Sequence, residues 1–159
     1  MLRRLTVVLL ASLALFMGLA ASPATAAPPV SNTVIHEKNL VDTFVDTVQC
    51  VGVPAPLYTI TLTTNLVLKE TIFANGNVHA TFTQTGSVIA VPLDDPSLPS
   101  YTGHVTIWGG FNQNNNTVNG TFTLNANLKG SDGSKVSIHE VDHFNVRPDG
   151  TINDFNRCR

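Results

Sequence analysis

His139-Glu140-Val141-Asp142-His143 spells H-E-x-x-H, the zinc-hydrolase pattern in which two histidines one helical turn apart converge on a metal and the glutamate acts as base. That chemistry needs a helix. Here the flanking apolar residues, Val136, Ile138, Phe144 and Val146, recur with a period of two between Gly130-Ser131-Asp132-Gly133 and Pro148-Asp149-Gly150, which reads as a strand. Four strand residues span about 13 Å, so the two histidines could not share one ion. The match is therefore taken as chance, and neither a metal nor a cofactor is expected. His79 and His104 lie on Thr-rich faces and are expected to be solvated, and His36 has no assigned face. No serine-histidine-aspartate order, phosphate loop or nucleophile elbow is present.

The carboxylates of the same segment are more informative. The apolar parity Val136, Ile138, Phe144, Val146 is interrupted by Glu140 and Asp142, which would then point inward, and Leu40, Asp42, Phe44, Asp46 and Val48 repeat the mixture. A buried carboxylate is costly unless it is paired, protonated or placed at a wet mouth. Two readings stay open. Either Glu140 and Asp142 form a polar cluster that binds or activates a small ligand, or a bulge or an ion pair with Lys38, Arg147 or Arg157 takes them out of the interior. Trp108 and Tyr101 could likewise form a stacking surface or pack one end of the fold.

Strands must position these groups. Thr117 to Lys129 alternates, with Val118, Gly120, Phe122, Leu124, Ala126 and Leu128 on one side and threonines, asparagines and Lys129 on the other. Further strands are read at Ser31 to Val48 (one or two), Leu57 to Thr63, Leu66 to Phe73, Val78 to Val91, Tyr101 to Phe111, Lys135 to Val146 and a last one through Phe155. Asn75-Gly76-Asn77 is read as a type I′ hairpin turn, and Pro92 to Pro99 as a stiff loop. Eight or nine strands joined by short turns make an all-β fold. An antiparallel up-and-down barrel of about eight strands, lipocalin-like (calycin) or allene-oxide-cyclase-like in shape, is expected, with a two-sheet sandwich as the alternative.

Residues 1–26 read as a secretory signal peptide: Arg3-Arg4, an apolar run from Leu5 to Leu19 and a small-residue site at Ala24-Thr25-Ala26. Export by the general secretory route is favoured over the twin-arginine route. Residues 27–159 would then form one secreted domain, with 7 basic side chains against 11 acidic ones. Such a surface carries no footprint for nucleic acid, and no later segment is apolar enough for stable membrane insertion. Cys50 and Cys158, an even pair in an exported chain, are expected to form a disulfide.

The strings Asn77 to Gly86, Val91 to Gly103, Trp108-Gly109-Gly110-Phe111-Asn112-Gln113-Asn114 and His143 to Gly150 resemble a family of secreted actinobacterial proteins. The resemblance covers essentially all of the chain after the signal. It implies export from a Gram-positive cell and a compact β fold, and it carries over no catalytic or binding residue.

The expected function is binding of a small apolar or amphipathic ligand inside the barrel, without catalysis. Phe82, Gln84, Phe122 and Leu124 would line the interior, Glu140 and Asp142 would anchor polar groups, and Leu93 to Leu98 would stand near the mouth. The alternatives are an isomerase or cyclase using a buried carboxylate, and a surface structural or interaction protein marked by an exposed apolar patch or unpaired edge strand. Oligomeric state is not read from the sequence.

Overall fold

The computed structural model describes residues 27–48, 55–114 and 117–158. The signal segment and Cys50 lie outside them. The described residues form seven strands: β1 Pro29–Asp46, β2 Tyr58–Phe73, β3 Val78–Pro92, β4 Tyr101–Asn114, β5 Thr117–Gly130, β6 Lys135–Val146 and β7 Ile152–Cys158. Every neighbouring pair is antiparallel, and the order along the sheet is the order along the chain. The fold is all-β, as the alternation requires.

The strand count corrects the expectation of eight or nine. Leu57 to Thr63 and Leu66 to Phe73 are one strand, β2, paired without a break from Tyr58–Pro92 to Ile72–Val78. The irregularity lies opposite, in β1, where the register shifts between Glu37 and Leu40 and Asn39 takes φ 56°. Asn65 explains the misplaced break: its side-chain oxygen accepts the Asn39 backbone N–H at 3.1 Å and holds the bulge. The bulge also sets Leu40, Asp42, Phe44 and Asp46 on the side already occupied by Glu37, which is why the pattern of β1 reads as irregular.

Three hairpins use one turn chemistry. Phe73-Ala74-Asn75-Gly76, Gly130-Ser131-Asp132-Gly133 and Arg147-Pro148-Asp149-Gly150 each close a 2.8–3.0 Å bond from the last glycine N–H to the first carbonyl. Only the glycines take positive φ, 79°, 86° and 81°. These are type I turns completed by a left-handed glycine, so the type I′ assignment at Asn75-Gly76 is corrected. Asn75, Asp132 and Asp149 instead accept the N–H two residues on, at 2.9–3.1 Å.

The inner face gathers Val48, Tyr58, Ile60, Leu62, Val88, Ala90, Tyr101, Val105, Ile107, Ala126 and Leu128 into one core. Tyr58 and Tyr101 meet edge to face, 5.8 Å between ring centres. Residues from β1 through β6 reach this cluster, so the sheet curls around it. β1 pairs only with β2 and β7 only with β6, which leaves the sheet open along a β1/β7 seam among the described residues. A closed barrel is not formed by strand pairing.

Candidate functional site

Two adjacent rows of cross-strand partners cross the inner face below the core. One runs Leu66, Gln84, Ile107, Leu124, Glu140, Cys158 from β2 to β7. The next runs Leu68, Phe82, Gly109, Phe122, Asp142, Asn156. All six side chains expected to line the interior, Phe82, Gln84, Phe122, Leu124, Glu140 and Asp142, fall on these two rows. The parity read from single strands was enough to choose the face; only the register brings the residues to one height.

The carboxylates are buried, Glu140 at 6% and Asp142 at 7% exposure. The β5–β6 register is continuous from Val118–Val146 to Lys129–Lys135, so no bulge turns them outward. Glu140 is satisfied by β7, since Asn156 donates its side-chain N–H to Oε1. Asp142 is not: its Oδ1 is buried without a hydrogen-bond partner among the described residues. Burial first, then the charges of Glu140 and Asp154, raise the Asp142 carboxyl above its ordinary range, and the charge of His143 offsets this in part. Across the same face Gln84 donates to the Thr64 hydroxyl at 2.6 Å, and Thr64 is only 1% exposed. The interior belt thus joins aromatic and aliphatic walls to two satisfied polar pairs and one unsatisfied carboxyl. It sets one open acceptor beside apolar walls.

Asp42, on the edge strand β1, is exposed and does not join the belt. The loop at Leu93 to Leu98 stands at the Tyr58–Tyr101 end of the sheet, and the packed core separates it from the belt, so it is not placed as a mouth. Tyr101 is buried in the core while Trp108 faces outward, so the two do not share a surface. His139 and His143 stand on the outer face of β6, with Nδ1 of His139 against Asn125 Oδ1 at 2.5 Å and Nδ1 of His143 against Thr121 Oγ1 at 2.7 Å. Glu140 lies on the opposite face, as a strand demands. His79 bonds Asn112 at 2.6 Å and is exposed.

Sequence reasoning missed Thr64 and Asn156, the partners of Gln84 and Glu140. Each sits at an inward position that its own strand gives no cause to single out. Comparison with family models, with curated proteins and with solved structures finds no match, so no residue role is transferred from a relative.

Proposed function

We propose that the chain is an exported, barrel-like carrier that binds a small amphipathic molecule on the belt of Phe82, Gln84, Phe122, Leu124, Glu140 and Asp142. The observation that carries this reading is Asp142 Oδ1, a buried acceptor without a partner among the described residues, beside apolar walls. Buried polar groups are almost always satisfied, so one left open beside apolar walls is a place that a ligand's donor would fill. A hydroxyl or protonated amine on an apolar tail fits. A carboxylate ligand does not, because Glu140 and Asp142 would repel it.

The test is a fluorescence titration of the secreted protein with an environment-sensitive long-chain amine and with the matching carboxylate, alongside native mass spectrometry for a co-purified molecule. The amine is expected to bind more tightly, and Asp142→Asn to weaken it about tenfold, which corresponds to about 1.4 kcal/mol. Equal binding of both probes, or an unchanged D142N variant, would overturn the reading. The same oxygen favours one second reading, general acid–base isomerisation, since a buried carboxyl whose pKa is raised holds a proton more readily than a solvated one and can pass it to a bound molecule. In that case the bound molecule leaves rearranged, and mass-spectrometric fragmentation before and after incubation detects it.

Asp142 makes stability depend on pH. Its folded-state pKa lies above the unfolded one, so between the two the folded state holds more protons and stability falls as pH rises. Thermal midpoints are expected to decline from the ordinary carboxylate range through the raised value, and D142N to flatten the decline and raise the neutral-pH midpoint by a few degrees. Asp95, Asp132 and Asp149 act in the opposite sense. Bonds from Ser97, Ser134 and Thr151 lower their pKa values, and that contribution is lost only on further acidification. A D142N profile parallel to that of the unaltered protein would contradict the assignment.

A further inference from the structure

We propose that the outer face of β4–β7 carries a second, separate site that binds a neutral polysaccharide. The outward residues form three cross-strand rows there. Asn112, Asn119, Asn145 and Asn153 are successive partners across four strands. Beside them run Gly110, Thr121, His143 and Phe155, and beyond those Trp108, Thr123, Val141 and Arg157. Because Gly110 has no side chain between Trp108 and Asn112, the surface dips there, between two larger outward side chains of β4. The result is a groove of about 650 Å³.

Its chemistry is specific. Trp108 is 38% exposed and Phe155 59%, two aromatic faces offered to solvent at opposite sides of the groove. Phe155 is steadied by His143, 6.3 Å between ring centres, and His143 in turn by the Thr121 hydroxyl. The side chains of Asn119, Asn145 and Asn153 make no hydrogen bond to another described residue, so three amides, each both donor and acceptor, are left to face the groove. No lysine or arginine lines it, and Asp154 is its one carboxylate.

A ligand matched to this lining presents flat C–H faces to the rings and hydroxyls to the amides, and carries no charge. That is a pyranose chain. An anionic polymer would find no cation in the groove lining, only Arg157 at the end of the Trp108 row, and an apolar peptide would bury the asparagines unpaired. The amide row repeats at the strand spacing of about 4.8 Å, so the surface suits a chain of sugars lying across the strands better than a single one.

Affinity electrophoresis through native gels containing dextran, soluble starch, hydroxyethylcellulose or galactomannan tests the assignment, with alginate as the anionic comparison. Retardation is expected in at least one neutral gel, unaffected by high salt because no ion pair is formed. Trp108→Ala and Asn145→Ala should weaken it about tenfold, while His104→Ala, outward at the other end of β4, should not. Near-ultraviolet circular dichroism of the Tyr58–Tyr101 pair checks that the variants are folded. Retardation by alginate alone, by none of the gels, or equally for W108A and N145A and the unaltered protein overturns the proposal.

Discussion

Gly86→Ala is expected to lower stability by about 3 kcal/mol, at the upper end of what overpacking costs, whereas Gly76→Ala should cost only about 1 kcal/mol. The two glycines are needed for different reasons. Gly76 occupies a left-handed turn, φ 79°, with open space around it, so an added methyl meets nothing and only the backbone preference is lost. Gly86 is in the middle of β3, opposite Thr64, and a Cβ there would press on the Thr63 carbonyl and stand 2.7 Å from the Thr64 Cα. Gly109 repeats the arrangement on β4, with a Cβ 2.7 Å from the Phe122 Cα. Backbone cannot step aside as a flexible side chain can, so neighbouring strands would have to part. These glycines let adjacent strands fold over one another, and the curl they permit is what wraps the sheet around its core. Urea unfolding at constant m-value measures both variants. If G86A costs no more than G76A, the curl does not depend on this close approach.

The same positions show what the sequence could and could not reveal. Alternation in Val78 to Val91, Thr117 to Lys129 and Lys135 to Val146 was legible because one face meets a core and the other water, and each of these became a strand within a residue of its expected bounds. Glu140 and Asp142 stood out because they broke that rule, and they are buried. What was not legible was anything set by pairing. Asn65 looked like a break because its amide supports a bulge in another strand. Asn112, Asn119, Asn145 and Asn153 are 7, 26 and 8 residues apart along the chain, and only the register sets them in one line. Closure was over-read for the same reason: alternation reports which face a residue takes, not whether the first strand meets the last.

That open seam makes the cysteines the second large effect. With seven antiparallel strands, β1 and β7 run in the same direction, so the segment after Asp46 and the end of β7 at Cys158 lie toward the same end of the sheet. Cys50 lies four residues beyond β1, outside the described residues. A Cys50–Cys158 bridge would join two edges that no strand pairing joins. On the chain-entropy model, closing a loop of roughly 100 residues contributes about 4–5 kcal/mol. Replacing both cysteines by serine, which avoids a stray thiol, should therefore lower the thermal midpoint by about 10 °C or more. A second consequence separates this latch from simple loop entropy. Cys158 is the register partner of Glu140, and Asn156, two residues earlier, donates to the Glu140 carboxylate. Freeing β7 should strip that bond, admit water to Asp142 and return its carboxyl toward the ordinary range. The double serine variant should then lose amine binding and the pH dependence assigned to Asp142, while the Trp108 groove, also bordered by β7 at Phe155, should weaken as well. Mass spectrometry under non-reducing conditions, with and without a thiol reductant, reports the bridge directly. A reductant that leaves both mass and thermal midpoint unchanged would show that the edges are held in another way.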